Sequence, residues 1–174
     1  MPQPKKIVVI GPESTGKSTL CEQLAEHYKT EWVPEFARKY LLDLGRPYNY
    51  DDLLIIARGQ LEQEDRICAS LKSSLLFIDT DMYVMKVWCE FVFGKCHSFI
   101  LNEIVNRKYD AYLLCKTDLP WVADELREYP DLESRERLYH MYRDLMINQH
   151  TAWAEIRGDY HQRFNLAVET VTRM

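Results

Sequence analysis

The chain has 174 residues, of which 47% are apolar and 28% charged, and its formal net charge is −5. That length suits one well-buried domain over 1–174, and the acidic balance excludes the basic face that a nucleic-acid groove needs. No apolar stretch approaches a membrane span and no signal-peptide core opens the chain, so no membrane partner and a cytoplasmic location are expected.

In chain order, Ile7-Val8-Val9-Ile10 reads as a buried first strand over 6–10. Gly11-Pro12-Glu13-Ser14-Thr15-Gly16-Lys17-Ser18 follows, and after it a helical run beginning Thr19-Leu20 that extends to about 28. A second strand falls at 31–33, and a helix opens near Glu35 and stops before Gly45-Arg46-Pro47. Asp51-Asp52 is expected to cap a long helix reaching about 71. Leu75-Leu76-Phe77-Ile78 is a buried strand that ends at Asp79-Thr80-Asp81, with helices over 82–93 and 98–106 beyond it. Ala111-Tyr112-Leu113-Leu114-Cys115 is a further strand, and 116–131, with Pro120 and Pro130, is irregular. A helix over 133–146, a strand over 151–156 and a helix over 159–171 complete the order. Apolar strands alternating with helices predict an α/β fold: a parallel sheet of about five strands covered by helices on both faces.

The segment 11–18 fits G-x-x-x-x-G-K-[ST], the P-loop pattern, in the strand–loop–helix setting the motif requires. Gly11 and Gly16 let the backbone curl so that successive N–H groups face phosphate oxygens, and the helix adds its positive end. Glu13, Ser14, Thr15 and Thr19 complete the nucleotide-binding set. Lys17 would reach the β- and γ-phosphates and Ser18 would hold Mg²⁺, which implies ATP with Mg²⁺. Asp79 follows four apolar residues as a Walker B aspartate does, so Ser18 and Asp79 form the expected metal pair, although Asp79, Thr80 or Asp81 could equally cap the next helix.

Ligands of open parallel sheets bind beyond the carboxyl ends of the strands, where Glu35, Arg38, Asp79, Asp81 and the 116–127 segment all fall. Glu35 and Arg38, three apart, are either a surface ion pair or a proton acceptor beside a phosphate-binding cation. A lid over about 116–132 would bring Arg127 onto the transferring phosphoryl group, whereas Arg135 and Arg137 read as a solvated helix face. Trp88, Tyr83 and Trp153 read first as packing, while Trp121 sits in the polar lid with Asp124. Cys21, Cys68, Cys89, Cys96 and Cys115 are odd in number, lack C-x-x-C spacing and read as free thiols, and Cys89-Cys96-His97 fits no common zinc pattern.

Taken together, these pieces resemble the ribosylnicotinamide kinase domain of the bacterial NAD-biosynthesis regulators of the NadR family. The resemblance runs through 11–20, Glu35-Phe36-Ala37-Arg38, Phe77-Ile78-Asp79-Thr80-Asp81, Pro120-Trp121-Val122-Ala123-Asp124 with Leu126-Arg127, and Gly158-Asp159-Tyr160 with Arg163. It implies a nucleoside- and nucleotide-kinase-like P-loop NTPase that moves the γ-phosphate of ATP onto the 5′-hydroxyl of nicotinamide riboside. It further implies Glu35, Asp81 and Arg38 near the nucleoside, with Trp88, Trp121 and Asp124 in the substrate set. Lys17, Glu35, Arg38, Asp81 and Arg127 would be catalytic, and Gly158 and Arg163 would lie near adenine. Pro34, Lys86 and Glu125 depart from the family pattern around the acceptor. Val33-Pro34-Glu35 is also similar to deoxynucleoside kinases, and an ATP-binding module acting by protein contact is the remaining alternative.

Overall fold

The computed structural model describes residues 3–174. Its elements are β1 (Lys5–Ile10), α1 (Lys17–Tyr28), β2 (Trp32–Val33), α2 (Phe36–Leu44), α3 (Tyr50–Ser70), β3 (Leu75–Asp79), α4 (Met82–Phe93), α5 (Ser98–Asn106), β4 (Ala111–Cys115), α6 (Leu132–Asn148), β5 (Ala152–Ile156) and α7 (Tyr160–Thr172). The strands form one five-stranded sheet in the order β2-β3-β1-β4-β5, and every adjacent pair is parallel. Antiparallel neighbours could be joined by tight hairpins, but parallel ones need crossovers, and the helices between strands supply them.

Side chains alternate across each strand, so β1 feeds two cores. Ile7 and Val9 pack with Leu20 and Leu24 of α1 and Ala167 of α7. Val8 and Ile10 pack on the other face with Val84 and Val87 of α4 and Leu138 and Tyr142 of α6. A third cluster joins α2 to α5 through Ala37, Leu53, Ile56, Met85 and Ile100. Burying each large apolar side chain stabilises by roughly 1.5–3 kcal/mol, so these contacts hold the sheet edge to edge and the helices to both faces. The order places β1 at the centre, with its carboxyl end flanked by the ends of β3 and β4. That crevice is where chain crossovers leave room for a ligand.

Two expectations change at element ends. The cap of α3 is Asn49 rather than the Asp51-Asp52 pair. Its side chain accepts from the N–H groups of Asp51 (2.9 Å) and Asp52 (3.1 Å), and Asp52 reaches back to the Asn49 N–H at 2.7 Å. This reciprocal capping box leaves Asp52 buried, and Arg46 at 2.7 Å compensates its charge. On α6, Arg135 is not part of a solvated face: it is only 4% exposed, whereas Arg137 is exposed and lies over the Phe91 ring.

Candidate active site

The loop between β1 and α1 is built to hold an anion. Gly11 has φ 144°, and a β-carbon there would stand 2.7 Å from the Cys115 carbonyl oxygen. Gly16 has φ 77°, a left-handed conformation that a side chain would strain. The loop is braced internally by Thr15 Oγ1 and Lys17 Nζ, which donate to the Pro12 carbonyl at 2.7 and 2.9 Å. Among the described residues, no side chain caps the amino end of α1, and no acidic residue stands in its first turn, so its N–H groups and positive end can face a ligand.

Asp79 ends β3 beside this loop, fully buried, and accepts from Ser18 Oγ at 2.5 Å. Burial raises its pKa, while the Lys17 charge and the Ser18 hydrogen bond oppose the rise. A carboxylate and a hydroxyl make an oxygen donor pair, which fits a hard cation such as Mg²⁺ that takes its other ligands from water and phosphate. Thr80 follows with φ 79°, a costly conformation for a β-branched residue. Strain of this kind persists where the surroundings hold it, and here it turns the chain sharply between Asp79 and Asp81.

Asp81 faces away from the cavity. Its Oδ1 caps α4, accepting from the N–H groups of Tyr83 (3.0 Å) and Val84 (3.2 Å), and its Oδ2 accepts from Tyr112 Oη at 2.9 Å. It is 1% exposed and does not line the cavity, although the resemblance placed it near the nucleoside. Burial lifts its pKa to about 7.

Glu35 does line the cavity. It precedes α2 at the carboxyl end of β2, and two glutamines of α3 fix the turn that carries it. Gln60 accepts from the Phe36 N–H at 2.7 Å and donates to the Asp79 carbonyl at 3.1 Å, and Gln63 donates to the Pro34 carbonyl at 2.6 Å. Gln60 was not singled out from the sequence. The available signal was an amide at a position that the helical period assigns to the core. Burial, then the charge of Asp79, lifts the Glu35 carboxyl to about 7, while Lys17 and Arg38 pull the other way.

The lid segment sits directly on the loop. Val122 N–H donates to Ser14 Oγ at 2.9 Å, and the Glu128 and Tyr129 N–H groups donate to the Glu13 carboxylate. Burial nevertheless raises the Glu13 pKa. Arg38 pairs with Asp124 at 2.8 Å, which ties α2 to the 116–131 segment, and it also lines the cavity. Arg127 lines the cavity and donates to the Val122 carbonyl. Trp121 lies outside the cavity wall, with its indole N–H buried and unpartnered.

The cavity measures about 500 Å³ and is continuous from Gly16, Lys17, Ser18 and Thr19 to Glu35 and an aromatic wall. Trp32, Tyr48, Trp88, Phe91, Tyr129 and Tyr142 form that wall, drawn from β2, α4, α6 and the segments beside them. Trp88 donates its indole N–H to Tyr48 Oη at 3.1 Å, and Tyr48 in turn donates to Glu128 of the lid at 2.8 Å. Pro34 is part of the wall, Lys86 is engaged by Glu90 at 2.6 Å, and Glu125 is exposed. Gly158 and Arg163 are not on the wall. Gly158 N–H donates to Asp118, and Arg163 is buried and donates to the Thr15 carbonyl, while Tyr160 between them lines the cavity.

A five-stranded parallel sheet with a phosphate-binding loop at its centre defines a P-loop α/β domain of the nucleotide-kinase type. The chain belongs to the AAA domain family, whose model matches residues 6–163. It is homologous to the trifunctional NAD biosynthesis/regulator protein NadR of Salmonella typhimurium, at 29% identity over 98% of this chain. The chain spans about two-fifths of that relative, 42% of its length. A crystal structure of NadR in complex with NR matches with a TM-score of 0.80 and 22% identity, over 98% of this chain and 49% of that one. A second NadR structure, in complex with NAD and AMP-PNP, matches at 0.75 and 22% with the same coverage. Thymidylate kinase from Ehrlichia chaffeensis matches at 0.66 and 20% identity, over 99% of this chain and all of that one. Among the described residues, no helix is long and apolar enough to cross a membrane.

Proposed function

We propose that this chain is a nucleoside kinase that transfers the γ-phosphate of ATP to the 5′-hydroxyl of nicotinamide riboside, yielding nicotinamide mononucleotide. The observation that carries this reading is the continuity of one cavity, with the phosphate loop at one end and Glu35 beside an aromatic wall at the other. The homology to NadR supports the same acceptor, because NR, read as nicotinamide riboside, is the ligand of a structural neighbour. AMP-PNP in another neighbour supports ATP as donor.

In this reading the loop N–H groups and Lys17 hold the β- and γ-phosphates, and Ser18 and Asp79 would hold Mg²⁺, which would supply positive charge against the phosphates. Glu35, with its carboxyl poised near neutrality, accepts the proton of the attacking hydroxyl. Arg127 and Arg38 approach from the lid and α2, where each can stabilise charge on the transferring group. The pyridinium of nicotinamide riboside gains from aromatic faces, by roughly 0.5–2 kcal/mol per contact, and from the carboxylates of Glu35, Glu13 and Glu128 on the wall. Seated over the loop, the lid excludes water from the reacting centre.

Incubating the protein with ATP, Mg²⁺ and nicotinamide riboside should give nicotinamide mononucleotide by mass spectrometry. Lys17→Ala should lower turnover by about 10²-fold or more while the fold survives, since Lys17 acts on the transferring phosphoryl group. Near-normal turnover by that variant would remove the assignment of the phosphate site.

A further inference from the structure

Two buried arginines grip the phosphate loop from behind. Arg135 of α6 donates through Nη2 to the carbonyls of Ser14 (3.4 Å) and Leu119 (3.2 Å). Arg163 of α7 donates through Nη1 to the Thr15 carbonyl at 2.8 Å. Its Nη2 reaches the Lys116 carbonyl at 2.9 Å, and its Nε reaches that of Gly158 at 2.7 Å. The two arginines are 4% and 2% exposed, and neither lines the cavity. Arg163 has Asp118 as a counter-charge, but Arg135 has no carboxylate within ion-pair distance among the described residues, and its Nε is unpartnered. Burial disfavours its charge, and the Glu13 and Glu136 carboxylates favour it only from beyond ion-pair distance, so the guanidinium is costly to keep there.

The peptide unit supplies the explanation. In a trans peptide the C=O and the following N–H point in opposite directions, and no cis peptide occurs among the described residues. Holding the Ser14 and Thr15 carbonyls on the arginine side therefore turns the Thr15 and Gly16 N–H groups the opposite way, and Ser14 and Gly16 line the cavity. We propose that Arg135 and Arg163 are positioning residues of the phosphate cradle, fixing two successive loop N–H donors for the oligophosphate of a nucleoside triphosphate. The charge of Arg135 is then answered across the loop by the bound anion itself. This inference rests on the reading of 11–18 as a phosphate site and is independent of the acceptor.

The test uses inorganic tripolyphosphate, which has no base or sugar. By calorimetry, Arg135→Met should weaken its binding by about tenfold or more, as expected for loss of charge-assisted donors. Arg135→Lys should restore part of the loss, and the exposed Arg137→Gln on the same helix should change nothing. A lower melting temperature for Arg135→Met with unchanged affinity would overturn the proposal and leave a purely structural role. The wild-type protein gives a second readout that needs no variant: among the loop amides followed by ¹⁵N NMR, those of Thr15 and Gly16 should shift most on titration. Equal shifts across the surface would overturn the proposal even if every arginine variant failed to fold. Failure of the wild type to bind tripolyphosphate would instead overturn the phosphate-site reading beneath it.

Discussion

Glu35 illustrates how one side chain can be set for chemistry by where it is held. It lies between the Asp79 and Glu13 carboxylates and the Lys17 and Arg38 cations, and burial outweighs the cations, lifting it to about 7. If it is the base, kcat/KM for the acceptor falls about tenfold per unit below that value and levels off above it. Stability runs the opposite way. The folded pKa exceeds that of the unfolded chain, so the folded state holds the extra proton between the ordinary carboxylate range and about 7. This contribution to stability is full below that window and is lost as pH rises through it. Glu35→Gln should abolish most activity and flatten that part of the stability profile. Activity of the wild type that stays level between about pH 5.5 and 8 would reject Glu35 as the titrating base. The sequence supplied Glu35 as a candidate but left it paired or catalytic with Arg38. The partner Arg38 does take, Asp124, lies 86 residues away and is legible only in three dimensions.

At the scale of elements, the amino end of α4 separates two aspartates that look equivalent in the chain. Asp79 stays on β3 and meets Ser18, while the turn at Thr80 swings Asp81 into the cap of α4. Asp81→Ala should therefore cost on the order of 1–3 kcal/mol, the sum of a lost cap and an unpaired Tyr112 hydroxyl, seen as a lower midpoint in denaturant. Asp81→Asn keeps an acceptor oxygen for the helix and should keep the KM of the acceptor near that of the wild type. A large rise in that KM with unchanged stability would return Asp81 to the acceptor site. The cap of α3 was misread for a related reason: three residues within four positions, Asn49, Asp51 and Asp52, can all cap. The reciprocal Asn49–Asp52 hydrogen bonds, with Asp52 buried and paired to the half-exposed Arg46, select Asn49. Arg135 was misread because Glu133, Glu136 and Arg137 make its neighbourhood look like a solvated face. Its burial comes from the P-loop and Leu119 packing against α6.

For the whole molecule, the strands were legible because continuous apolar runs are stable only when covered on both faces, and the P-loop marks which strand is central. The irregular character of 116–131 was legible from its prolines. The aromatic wall was not, since Trp32, Tyr48, Phe91 and Tyr142 come from distant segments and each alone reads as packing. Their convergence opposite the phosphate loop bears most directly on the proposed acceptor. The decisive measurement is kcat/KM for nicotinamide riboside against thymidine, cytidine and uridine under one set of conditions. The cationic acceptor should be preferred by at least about tenfold, which one cation–π contact and a nearby carboxylate can supply. Equal phosphorylation of the neutral nucleosides would contradict the account of the acceptor, and no increase in ATP turnover with any of them would contradict the assignment as a kinase.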